Sequence, residues 1–157
     1  QALARGGEPG EDKLFATLRP LTRRGFLAGV GEVLFTDTVG FIRKMPEELL
    51  TAFRATLEEV READLLVHVL DASEEGALER YRVVEALLQD LHVEAPRVLA
   101  LAKADRAAPY DLAYLRERLG GVPVSAVKGT GLKELREALA EALLASGVRP
   151  QAWAQYT

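Results

Sequence analysis

The chain has 157 residues, of which 48% are hydrophobic and 28% charged, with a formal net charge of -4; this fits one globular domain and excludes a disordered chain. It has no cysteine and only two histidines, His68 and His92, which excludes disulfides, thiolate metal centres and a histidine-rich metal site. No apolar run reaches the roughly 20 residues of a membrane helix and the N-terminus lacks a secretory signature, so a cytoplasmic location is expected.

In chain order, Gln1 to Ala4 look like the last turn of a helix, residues 5–10 are a loop by composition, and residues 13–18 read as extended. Residue 1 is Gln and the only methionine is Met45, so the chain reads as a fragment. Arg24 to Val30 reads as a strand turning at Gly29 and Gly31 into a second strand, Glu32 to Thr36, which makes a hairpin. Pro46 then opens a helix over residues 47–61 with Leu50, Phe53, Leu57 and Val60 on one face. Leu65 to Leu70, Arg97 to Leu101 and Val122 to Val124 are near-continuous apolar runs, the pattern of strands buried on both faces. Between and after them, residues 77–91, 111–119 and 132–144 are helical in period, the last with Leu132, Leu135, Leu139 and Leu143 in line. After Gly147 the chain is Pro-broken and reads as a tail or linker over residues 147–157.

Alternating strands and helices predict an α/β fold with a doubly wound, mostly parallel sheet, its ligand lying beyond the carboxyl ends of the strands. Those ends carry Asp37, Asp71, Lys103 with Asp105, and Ser125.

The stretch EVLFTDTVGFIR, residues 32–43, ends an apolar run in Asp37 and passes through Gly40. A carboxylate there can hold Mg²⁺ through water, and a glycine lets its N–H approach a terminal phosphate. In VLALAKADRA, residues 98–107, the Asp105 carboxylate can accept two hydrogen bonds from the N1 and N2 donors of guanine, and the Lys103 stem can lie over the base. Ser125 and Ala126 end the next strand in small residues, leaving backbone N–H groups to meet a base oxygen. Singly these are also ordinary strand-to-helix turns and solvated loops; their order and spacing carry the signal.

DKLFATLRPLTRR at 12–24, FTDTVGFIRKMP at 35–46 and AFRATLEEVREADLLVHVLDAS at 52–73 resemble the GTPase domain of the HflX family, ribosome-associated GTPases of the TRAFAC class. The resemblance implies a P-loop GTPase domain over residues 1–146, incomplete at its N-terminus. It implies that Thr17 is the switch threonine reaching Mg²⁺ and the terminal phosphate, with Thr22 the lesser candidate. Asp37 and Gly40 would be the second switch, Lys103 and Asp105 would read guanine, and Ser125 with Ala126 would hold its O6 edge. The implied ligands are GTP and GDP with Mg²⁺, and the implied partner is the large ribosomal subunit with its RNA, which would stimulate hydrolysis.

Two departures qualify it. Ala102 stands where the base-reading signature has Asn or Thr, which removes hydrogen bonds of roughly 0.5 to 1.5 kcal/mol each between the base loop and the phosphate loop. The pattern GxxxxGK[ST] is absent, so the first strand and phosphate loop are expected immediately upstream of Gln1. Without that strand its two neighbours would lose ladder partners. Phe41 occupies the place of a water-orienting side chain, so slow intrinsic hydrolysis is expected. Arg19, Arg23, Arg24, Arg43 and Lys44 lie near both switches in sequence and can contact RNA phosphates or form a solvated face. Asp64, Asp71 and His68 flank a buried strand and read as structural. The alternatives are a nucleotide-independent α/β module that binds ribosomes or RNA, and a phosphoacceptor receiver domain with Asp71 as acceptor and Lys103 beside it.

Overall fold

A computed structural model describes residues 21–38 and 60–149. Its first element is a hairpin: β1 (Leu21–Leu27) pairs antiparallel with β2 (Gly31–Asp37), from Leu21 opposite Asp37 to Leu27 opposite Gly31. Gly29 takes φ 81° in the connection, a left-handed conformation that a Cβ disfavours. The hairpin expected from the glycine spacing is present, with its first strand beginning at Leu21 rather than Arg24.

A three-stranded parallel sheet follows, formed by β3 (Leu66–Asp71), β4 (Arg97–Ala102) and β5 (Val122–Pro123) in that order. Their connections are α1 (Ala77–Asp90) and α2 (Pro109–Leu119), and α3 (Leu132–Ala145) closes the described chain. This is the strand-and-helix alternation the sequence predicts. β5 is shorter than expected because Pro123 has no N–H to extend the ladder, although Val124 N–H still reaches Leu101 O at 2.9 Å.

The helices cover both faces of the sheet. Leu135, Leu139, Ala140 and Leu143, spaced three to four apart along α3, pack with Ala100 and Val124 on one side. On the other, Leu99 and Leu101 pack with Leu70, Ala77 and Leu115. Leu101 and Leu139 are fully buried, and burying a leucine side chain stabilises by about 1.5 to 3 kcal/mol. α2 begins with Pro109 and Asp111 and ends with Arg116 and Arg118, the charge order its dipole favours.

Among the described residues no ladder joins β2 to β3. α3 links the two sheets instead, because Leu27 and Val30 of the hairpin share its apolar cluster, with Val33 and Phe35 packed against it. The extended segment at 13–18, most of the helix over 47–61 and the end of the tail lie outside the described residues; residues 60–62 are helical, and Val60 is buried with Leu88 and Val93.

Candidate functional site

The parallel register sets the candidate site. Asp71 pairs with Ala102 and Leu101 with Pro123, so β3, β4 and β5 end together and release Asp71, Lys103 with Asp105, and Ser125 onto one rim. The chain turns sharply at Lys103, whose φ of 54° lies in the left-handed region and costs a non-glycine residue roughly 1–2 kcal/mol. The turn is closed by Arg106 N–H and Ala107 N–H donating to Lys103 O at 2.9 and 3.2 Å, and Ala104 N–H ties it to Val124 O at 3.1 Å. The Lys103 and Val124 loops are therefore one hydrogen-bonded unit.

Asp105 is exposed at the tip of this turn. A hydrogen bond from the Ser125 hydroxyl, helped by the positive charges of Lys128 and Arg106, holds its carboxyl below the usual carboxylate range. Ser125 itself is 0% exposed. Its Oγ accepts from Lys128 N–H at 3.1 Å and its N–H donates to Thr130 O at 3.0 Å. The small residues here serve close packing: Gly131, with φ 73°, brings the start of α3 so near β5 that a Cβ would stand 1.9 Å from Pro123 O. Ala126 and Val127 stay exposed beside Asp105's partner.

Lys103 Nζ lies 2.7 Å from Asp71 Oδ2. Asp71 Oδ1 accepts from Ser73 N–H at 3.0 Å and Ser73 Oγ–H at 2.7 Å. Burial pushes the Asp71 carboxyl up, but the bonds from Lys103 and Ser73 outweigh it and leave it lowered; the same bond from Asp71 raises the Lys103 ammonium. Both groups are charged at neutral pH. The sequence places Asp71 on this rim and sets Lys103 beside it only under the receiver alternative; the ion pair across neighbouring strand ends is seen in the structure.

Asp37 is the last residue of β2 and is exposed, a hard oxygen donor of the kind Mg²⁺ takes while keeping several waters. Thr22 is occupied in the hairpin, its hydroxyl 3.1 Å from that of Thr36. Thr17, Gly40, Phe41, Arg19, Arg43 and Lys44 lie outside the described residues.

A second polar cluster sits against α1. Neutral His68 donates Nδ1–H to Glu85 Oε1 at 3.2 Å and stacks on Tyr81 at 5.0 Å between centroids. Arg97 donates to Glu85 Oε2 at 3.1 Å and to Val93 O at 2.9 Å. Burial lowers the His68 pKa against the opposing pull of Glu85. Glu85 spends both carboxylate oxygens on these neighbours, while Arg97 Nε is buried without a hydrogen-bond partner.

Comparisons with known proteins bear on the family and the fold. A family model described as 50S ribosome-binding GTPase matches residues 2–103. GTPase HflX of Chlamydia pneumoniae is 45% identical over 134 residues, 83% of this chain and 28% of that protein. GTPase HflX of Escherichia coli K12 is 40% identical over 136 residues, 84% of this chain and 32% of that protein. The chain thus spans about a third of the length of these relatives. The crystal structure of SsGBP in complex with GDP superposes with a TM-score of 0.67 at 27% identity, over 80% of this chain and 43% of that one. Era in complex with MgGDPNP and a segment of 16S ribosomal RNA superposes with a TM-score of 0.68 at 19% identity, over 84% of this chain and 47% of that one, which speaks for the fold alone.

Proposed function

The chain belongs to the 50S ribosome-binding GTPase family, in its HflX branch, and on that premise we propose that residues 1–146 form the GTP-binding and GTP-hydrolysing part of a ribosome-associated protein. Val148 still packs against the α3 cluster, so in this reading any tail or linker begins beyond it. One observation carries the reading: the exposed Asp105 carboxylate, hydrogen-bonded by a buried hydroxyl, stands beside Lys103 beyond the carboxyl end of a central parallel strand.

In this reading Asp105 accepts the N1 and N2 donors of guanine, a pattern adenine cannot offer. The Lys103 stem lies over the ring, and Ser125 and Ala126 border its O6 edge. Thr17, Asp37 and Gly40 serve the other end of the nucleotide. Asp37 would hold Mg²⁺ through water and Thr17 would ligate it directly; when bound, the ion neutralises charge on the β- and γ-phosphates. Gly40 offers its N–H to the terminal phosphate without a Cβ in the way. Positioning of this kind, rather than covalent chemistry by the protein, is what phosphoryl transfer needs. Phe41 cannot orient the attacking water, so hydrolysis is slow until the large ribosomal subunit orders the site. A cytoplasmic location follows from that partner.

The test is fluorescent GDP binding to the full-length protein, competed with unlabelled GDP and ADP. GDP displaces and ADP does not, and Asp105→Asn weakens binding by about tenfold or more through loss of a charged acceptor. Absence of GDP binding by the full-length wild type would favour a nucleotide-independent ribosome- or RNA-binding module, the reading to which Ala102 lends weight. The family assignment leaves no support for the receiver reading of Asp71.

A further inference from the structure

Lys103 stands exposed at the rim. It sits in a left-handed turn at φ 54°, its side chain is 52% exposed, and the residue before it is Ala102, whose methyl group can bond to nothing. What holds it comes from another strand. Its Nζ meets Asp71 Oδ2 at 2.7 Å, while Asp71 Oδ1 is fixed by both the N–H and the hydroxyl of Ser73. Asp71 is itself set opposite Ala102, with Ala72 N–H donating to Ala102 O at 2.9 Å.

We propose that Asp71 is a positioning residue for nucleotide binding, anchoring Lys103 across the base site and supplying from β3 the restraint that the Ala102 side chain lacks. The inference rests on the reading of Lys103 and Asp105 as guanine contacts. A lysine stem offers an apolar flank to a planar ring only if its far end is held, because a free stem samples many rotamers and loses that freedom on binding. A charge-assisted bond to a carboxylate whose second oxygen is already occupied is such a hold. It places the ordering in the protein before the base arrives, which is preorganisation. The opposite arrangement, in which Asp71 sequesters Lys103 from the nucleotide, makes the opposite prediction and is separated by the same measurements.

The experiment measures fluorescent GDP affinity and dissociation on the full-length protein, as wild type, Asp71→Ala, Asp71→Asn, Asp71→Glu, Lys103→Ala, the Asp71→Ala/Lys103→Ala pair, Ala102→Asn, and Asp71→Ala/Ala102→Asn. Asp71→Ala weakens GDP by about tenfold through faster dissociation. Asp71→Asn, which keeps an acceptor for Ser73, falls between it and wild type, and Asp71→Glu recovers part of the loss. Asp71→Ala costs nothing further once Lys103 is Ala, and Ala102→Asn improves affinity more in the Asp71→Ala background than in wild type. A purely structural Asp71 would instead give equal losses in every background, tracking the melting temperature. Unchanged or tighter GDP binding by Asp71→Ala, or additive losses with Lys103→Ala, overturns the proposal while leaving the GTPase reading intact. A wild type that binds no GDP overturns both.

Discussion

At the carboxyl end of β3 and β4, Lys103 meets Asp71 at 2.7 Å with the lysine side chain half exposed, and Asp105 is exposed beside it. Against α1, on the flank of the same two strands, Arg97 meets Glu85 at 3.1 Å and His68 meets it at 3.2 Å, with side-chain exposures of 27%, 17% and 9% for Arg97, Glu85 and His68. The residue types are alike, and what separates the clusters is where spare hydrogen-bonding capacity points. On the flank, Glu85 spends both oxygens inward and the ring of Tyr81 covers His68. At the rim Asp71 holds the far end of the Lys103 side chain and Ser125 bonds the Asp105 carboxylate, while both residues stay exposed. Glu85 is spent on its neighbours, whereas the Asp105 carboxylate is exposed at the tip of its turn.

The contrast can be broken at either end. The largest effect is expected at the rim's scaffold and involves no charge. Gly131→Ala places a Cβ 1.9 Å from Pro123 O in a left-handed backbone, and should cost about 3 kcal/mol in urea denaturation through overpacking and strain. Next, Glu85→Ala strands both His68 and Arg97. Because the pair is only partly buried, about 2 kcal/mol of stability should be lost, below the range for fully buried pairs. Guanine preference should be unmoved, and a change in base selectivity would show that the two clusters are not independent.

The pH response sharpens the same division. The folded pKa of His68 lies below its ordinary 6.5, so near and below that pH the unfolded chain binds more protons. Its contribution is present above pH 6.5 and is lost as pH falls through the folded value. Denaturation midpoints should drop from pH 7 toward pH 5, and His68→Gln should flatten that slope. The rim pair behaves otherwise. Asp71 is lowered from 3.8 and Lys103 raised from 10.5, so the carboxylate's contribution fades only as pH falls below about 3.8 and the ammonium's only as pH rises beyond 10.5. Between roughly pH 5 and 9 it should stay constant. The smallest effect lies on the hairpin surface, where Arg24 and Glu32 stand 3.7 Å apart at 78% and 45% exposure; Arg24→Ala should change stability by less than about 0.5 kcal/mol.

Much of this architecture was legible in one dimension. Leu99, Ala100 and Leu101 read as a strand buried on both faces because no polar residue interrupts them, and they are 8%, 1% and 0% exposed. The spacing of Leu135, Leu139 and Leu143 gave the buried stripe of α3 for the same reason. The exits of Asp37, Asp71, Lys103 and Ser125 from strand ends followed from where the apolar runs stop. Pairings across elements were not legible. The His68 bond to Glu85 and the burial of Leu27 and Val30 under α3 depend on strand register and helix placement, which periodicity does not encode, and the nearness of Lys103 to Asp71 entered only with the receiver alternative. Family resemblance supplied roles for Lys103, Asp105, Ser125 and Ala126. It was silent on Asp71, whose bond to Lys103 is a contact between strand ends.

The buried hydroxyl of Ser125 has a consequence for anyone wishing to change what this rim selects. It faces the Asp105 carboxylate on one side and receives Lys128 N–H on the other, while its own backbone is tied to Thr130. The two loops therefore do not vary as independent modules. Recoding Asp105 for a different ring would orphan a hydroxyl with no access to water, and removing that hydroxyl would loosen the turn that leads into α3. The exposed carboxylate and the turn leading into α3 draw on the same oxygen atom, so a change at Asp105 is coupled to the stability of that turn.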